Sequence, residues 1–200
     1  MVQQENRKTV FSSPRCQALS DYWWNLRAEI PDGVPTRAMI DPGQIKPLLP
    51  HLLIHDLGVP GKSLLRLVGT AVADRLGLDP TGRDYLDFVS PDRKAEAYHH
   101  LIRTATHPCG MRVINQVRYV SGMWTMAEAV GFPIRHHNTG APMLLFLHDL
   151  IGEEQSDLEQ RKRPVEQFEI PEREYLDVGF GVPNPALSRD DGGPSSHEES

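Results

Sequence analysis

The 200-residue sequence predicts an α+β fold. The expected form is a five-stranded antiparallel sheet, with helices packed on one face and an additional N-terminal helix. Three observations carry this expectation. Beyond residue 110 the apolar residues fall at a period of two, in three long runs joined by short polar turns. Ahead of them the pairs Ser13-Pro14, Asp41-Pro42 and Ser90-Pro91 read as helix caps followed by a first-turn proline, whose missing N–H costs nothing there. Between residues 16 and 30 the apolar side chains recur at helical spacing.

Residues 1–12 read as disordered. From Ser13-Pro14, the residues Cys16, Leu19, Trp23, Leu26 and Ile30 form one helical stripe, flanked by Tyr22 and Trp24 and ended by Pro31-Asp32-Gly33. So much aromatic surface must be covered, either by the chain's own core or by a second copy. Leu19, Trp23, Trp24 and Leu26 are therefore the candidate dimer residues. Residues 13–40 make this helix and a linker, and 41–150 the core. Asp41-Pro42 opens a short helix through Ile45, Leu48 and Leu49. Residues 51–59 and 64–68 are strand candidates around the turn Pro60-Gly61-Lys62-Ser63. A helix follows Gly69-Thr70, capped at Thr70 and ending at Gly77. Tyr85, Leu86, Phe88 and Val89 make a further helical turn. Tyr98, Leu101, Ile102 and Ala105 form the buried face of the helix opened by Ser90-Pro91. Then come strands from Met111 to Tyr119, from Met123 to Phe132 with Pro133 as terminator, and from Met143 to Leu150. Residues 151–182 are an acidic extension, in which 168–182 carry enough apolar residues to dock on the body. Residues 183–200 read as a disordered tail.

Composition narrows the function classes. Residues 151–200 hold 13 acidic and 5 basic residues, whereas 1–150 hold 14 and 16. The near-neutral body offers no electrostatic footprint for nucleic acid. The longest apolar run, Met143 to Leu147, is five residues, which argues against a membrane span. The start MVQQENRKTV lacks the apolar region of a secretory signal, and a cytoplasmic location is expected. Cys16 and Cys109 stand in no metal or redox spacing. One disulfide is arithmetically possible, and two thiols in a reducing compartment is the simpler reading. There is no G-x-S-x-G, no H-E-x-x-H and no phosphate loop, so no catalytic residue is assigned and no enzyme is expected.

Several segments form an ordered set along the chain. They are Tyr22-Trp23-Trp24 with Arg27, Pro35-Thr36-Arg37 with Ile40-Asp41-Pro42, and Leu48-Leu49-Pro50. Further along come Arg66-Leu67-Val68-Gly69-Thr70, Leu76-Gly77 with Thr81-Gly82-Arg83, and Glu128 with Phe132-Pro133. Together these segments resemble the PAS_5 group of PAS domains, typical of alphaproteobacteria, and the resemblance covers roughly residues 15–150. It implies a sensory or interaction module of bacterial signalling, often dimeric through an N-terminal helix, often holding a small ligand between sheet and helices. It implies no particular ligand. Such modules are commonly fused to an output domain. A stand-alone module would signal through a partner protein or through its own dimer state.

On this reading the candidate pocket lies between the inner sheet face, with Asn115, Val117, Trp124, Met126 and Glu128, and the helical side, with Tyr85, Phe88 and Leu101. Asn115 and Glu128 are singled out as polar residues on apolar strand faces, where an unpartnered group costs about 1–3 kcal/mol. Either they point into a cavity, or twist brings them out, or they satisfy backbone groups. Arg66 is the candidate partner of Glu128 across the sheet. No metal site is expected: His51 and His55, on a strand, would lie roughly 13 Å apart, and His136-His137 falls in a polar loop. A haem-binding PAS domain carries its axial histidine on the helix that here holds His99-His100. Helical arithmetic turns His100 toward solvent and His99 to the flank, against a haem. Cys109 follows that helix, which disfavours a covalent flavin photosensor. Three readings stay open: a small-ligand sensor, a pure interaction and dimerisation module with a filled core, and a haem-based sensor.

Overall fold

The computed structural model describes residues 10–151, apart from 31, 121 and 123, and residues 165–183. Of the segments expected to be disordered, 1–12 and 183–200, residues 1–9 and 184–200 lie outside the described residues, whereas Phe11 packs on the core and the Ser12 N–H reaches Glu128. Ser13 caps helix α1 (Pro14–Ala28), its hydroxyl accepting from the N–H groups of Arg15 and Cys16. Short 3₁₀ turns lead to β1 (Leu52–Asp56) and β2 (Leu64–Val68). Helix α2 (Thr70–Leu76) has Gly69 rather than Thr70 as its cap. A Cβ at position 69 would stand 2.3 Å from the Pro50 carbonyl oxygen, so only glycine fits there. After another 3₁₀ turn (Tyr85–Phe88) come α3 (Lys94–Thr106), β3 (Gly110–Tyr119), β4 (Trp124–Arg135), β5 (Pro142–Ile151) and β6 (Val165–Leu176).

The sheet is antiparallel throughout, in the order β2-β1-β5-β4-β3-β6. It has six strands where five are expected. The sixth comes from the acidic extension and pairs with β3, with a bulge opposite Ile114 to Gln116. β4 also runs through Pro133 to Arg135. The Arg135 N–H, two residues on and along the same edge, bonds the Pro35 carbonyl beyond the end of β3. Pro133 therefore lacks its N–H where no ladder partner is waiting.

Both faces of the sheet are covered. Helices α2 and α3 and the Tyr85–Phe88 turn pack on the face carrying Leu53, Leu65, Met111, Val113, Ala129, Leu144 and Phe146. Helix α1 packs on the opposite face, against Leu52, Ile54, Val130, Phe132, Ile134, Leu145 and Leu147. Leu19 and Trp23 are 0% exposed, and Leu26 is buried with them. The Trp23 ring stacks on Phe132 at 5.2 Å, and its Nε1–H donates to the Pro133 carbonyl at 2.9 Å. The aromatic stripe is thus spent on the chain's own sheet. A dimer face through Leu19, Trp23 and Leu26 is not available, because the sheet's back face is itself apolar and covers them. Trp24, edge-on to Trp23, keeps partial exposure.

Candidate functional site

Which strand residues share a face follows from register. Met111, Val113, Asn115 and Val117 of β3 stand opposite Gly131, Ala129, Ala127 and Thr125 of β4. Ala129 in turn faces His148 of β5, and Gly131 faces Phe146. On this face β4 carries only small side chains; the Phe146 ring fills the space over Gly131, and beside Ala129 lies a small, half-enclosed cavity of about 60 Å³. Its floor is Met111, Val113, Asn115, Ala129, Phe146 and His148, with His55 from β1. Tyr85 and, from α3, Ala97, His100 and Leu101 form the roof. Ile170 and Arg173 of β6 close one side.

Asn115 is the distinctive group. It is 1% exposed, and neither its Oδ1 nor its Nδ2 has a protein partner. Three imidazoles share the cavity with it. His55 Nδ1 lies 2.9 Å from Ser63 Oγ, and His100 Nδ1 lies 2.6 Å from the Tyr175 hydroxyl. Burial pushes His55 down to about 4. Burial and then the Arg173 charge push His100 to about 4, and burial followed by Arg75 and His55 takes His148 to about 3. At neutral pH each is an uncharged ring with one donor and one acceptor. Burial raises Tyr85, keeping it a phenol. The cavity is apolar in its walls, with a few convergent hydrogen-bonding groups.

Of the sequence-derived pocket residues, Tyr85, Leu101 and Asn115 line this cavity. Phe88 packs on the same side, under the Arg83 guanidinium at 4.7 Å, without lining it. Val117 lies further along β3, in a satellite cluster with Tyr119 and Ala127. Trp124, Met126 and Glu128 belong to the opposite face. Taking β4's large residues as inner inverts that strand, because α1 makes the back face the more apolar one. Trp124 is 47% exposed, with the Arg118 guanidinium 5.8 Å from its ring centre.

Arg66 does not meet Glu128. It lies on β2 at the far edge, and its Nε donates to Asp56 Oδ2 at 2.8 Å. Glu128, wholly buried, accepts from Arg112 Nε at 2.6 Å and from the backbone N–H groups of Ser12 and Ser13 at 3.2 and 2.6 Å. Its neighbour Asp149 accepts from Ser13 Oγ at 2.7 Å and from Arg15 Nη1 at 3.0 Å. This is an anchor for the start of α1, not a ligand site.

His100 also departs from the helical arithmetic. The buried face of α3 contains Leu101, Thr104 and Ala105, and counting apolar residues alone omits the threonine. The sixth strand then covers the flank that His100 occupies, through Tyr175. A haem still does not fit. The cavity falls well short of the roughly 300–1,000 Å³ of sites for sizeable ligands, and His100 Nδ1 is engaged by Tyr175. Cys109 is buried and free, its thiol pushed up to about 12 by burial, the reverse of a reactive thiolate. His51 and His55 part company, His51 lying 3.6 Å from Asp149 on the α1 side. Among the described residues no group of His, Cys, Asp or Glu could hold a metal, and no helix is long and apolar enough to cross a membrane.

His55, His100, His148, Ile170 and Arg173 also line the cavity, and sequence reasoning did not place them there. His148 did carry a signal, since it continues the period-two face of Leu144 and Phe146.

Several known proteins are similar to this chain. A ligand- and DNA-bound VqmA of Vibrio cholera is 18% identical with a TM-score of 0.43, over 56% of this chain and 52% of that one. This chain therefore spans about half the length of that VqmA chain. A LOV protein of Rhodobacter sphaeroides is 12% identical with a TM-score of 0.41, over 60% and 73%. The PAS domain of an HTR-like protein from Haloarcula marismortui is 11% identical with a TM-score of 0.38, over 55% and 90%. No curated protein matches. The PAS_5 family model, a PAS domain, matches residues 11–141, more than half of the chain. With the antiparallel sheet and the helices laid across its face, that match places the chain in the PAS domain family, whose role is sensory or regulatory.

Proposed function

We propose that the protein is a small-molecule sensor, binding its ligand in the cavity between the sheet and α3. The observation that carries this reading is Asn115. Its amide is buried with no protein partner for either polar atom. An unfilled buried amide costs about 1–3 kcal/mol, and a bound molecule that pairs with it offsets that cost. The volume of about 60 Å³ suits a ligand of roughly four to six non-hydrogen atoms, the space of a few waters. Binding there touches α3, the central strands and β6 together, so occupancy can be transmitted to a signalling partner or to a second copy of the chain.

Native mass spectrometry of the purified protein tests this. A retained small mass, lost in Asn115→Leu, supports the reading. A bare chain or bare dimer, unchanged by any small molecule, replaces it with the second reading, an interaction module with a filled core. That reading draws on the smallness of the cavity beside the packed Leu53, Leu65, Leu144 and Phe146.

A further inference from the structure

We propose that the ligand is a short-chain carboxylate bearing a hydroxyl group, and that Arg173 of β6 selects it. This rests on the cavity being a ligand site. Arg173 lies outside residues 11–141, which match the PAS family. Register sets Arg173 beside Val113, one same-face step from Asn115. It lines the cavity, and its buried Nε has no protein partner. Its Nη1 donates to Glu96 Oε1 at 3.0 Å.

One wall therefore presents two kinds of unfilled donor, Asn115 Nδ2 and Arg173 Nε, and one unfilled acceptor, Asn115 Oδ1. The imidazoles do not tip this balance, because a neutral ring can donate or accept. A carboxylate only accepts, and its geometry suits a guanidinium. A hydroxyl on the same ligand supplies the donor that Oδ1 lacks. The cavity volume limits the molecule to about the size of glycolate or lactate. Glu96 is a competing carboxylate for Arg173, half-exposed at the cavity's edge. The incoming anion has to share Arg173 with it.

The test is thermal stabilisation and calorimetric titration of the full chain with glycolate and lactate, against their neutral counterparts glycolamide and lactamide. The expected result is a dose-dependent response to the acids and none to the amides. Arg173→Gln should weaken acid binding about ten-fold or more. Glu96→Gln, which breaks the same ion pair but frees Arg173, should tighten it. A merely structural role for the pair would make both variants weaken binding, and that outcome overturns the proposal. So does an equal response to acids and amides, or no response to any of the four probes. If native mass spectrometry nonetheless finds a retained small mass that depends on Asn115, the cavity remains a ligand site and only the carboxylate assignment falls.

Discussion

The Glu128 carboxylate accepts the backbone N–H of Ser13 at 2.6 Å, joining two residues 115 positions apart. Asp149, its cross-strand neighbour, takes the Ser13 hydroxyl. Two carboxylates on the sheet thus meet the first turn of α1, where unsatisfied N–H groups and the helix dipole favour negative charge. Arg112 and Arg15 balance them. This arrangement fixes where α1 enters, and hence which stripe of it lies on the back of the sheet.

Glu128→Gln should destabilise the protein by about 2 kcal/mol, because it removes the charged acceptor of Arg112 Nε and the Ser13 N–H, while Arg112 Nη1 keeps Glu172 at 2.7 Å. Urea unfolding measures this. Adding Arg112→Met should recover part of the loss, and adding Arg66→Met should be additive, since Arg66 pairs with Asp56 instead. Recovery by Arg66→Met would contradict the pairing described.

Trp23→Ala should cost about 3–5 kcal/mol through the space left beneath α1. Trp23→Phe should cost less, losing the bond to the Pro133 carbonyl. Because Trp23 faces its own sheet, the loss should be independent of protein concentration. A midpoint that falls on dilution in the wild type, and no longer does so in the variant, would restore the dimer reading of this residue.

Asn115→Leu should raise the ligand-free unfolding free energy by about 1–2 kcal/mol, by replacing an unfilled amide with an apolar side chain. Ligand retention should disappear in the same variant. Stability gained with binding lost marks a polar group kept for a partner. A loss of stability would mean that the amide is satisfied within the protein.

Stability should fall as pH drops from about 6.5 toward 4. His55 sits at about 4 in the folded chain against 6.5 ordinarily, so in this window the unfolded chain binds the extra proton. Its contribution is complete above 6.5 and is lost on the acid side, up to about 3 kcal/mol. His55→Phe keeps an aromatic ring against Tyr85 and Phe146 and should flatten the unfolding free energy between pH 6.5 and 4 relative to wild type. An unchanged slope would assign the acid sensitivity to other groups.

Much of this fold is legible in the sequence, and the failures have physical causes. The Ser13 cap, the Gly77 stop and the three long strands follow from local chemistry. β6 does not announce itself. Its inward residues change phase at the bulge, from Ile170 to Arg173 and Tyr175, and Pro171 and acidic side chains interrupt the pattern. The cavity face of β4 is hidden for the opposite reason. It holds Thr125, Ala127, Ala129 and Gly131, while the larger residues face α1. Size marks the face under α1, while the small residues leave space that Phe146 takes over Gly131 and the cavity takes beside Ala129. Asn115 was legible as a polar residue on an apolar face, but Arg173 was not, because only the unforeseen strand brings it there.

That sixth strand also changes what counts as a complete folding unit. A protein ended at residue 150 would leave ten residues of β3, largely buried and apolar, with a bare hydrogen-bonding edge. Such an edge recruits strands from other molecules. The shortened chain should therefore be lost to self-association, and the acidic side chains of β6, Glu169, Glu172 and Glu174, act in the full chain as the charged selvage that stops the sheet from growing.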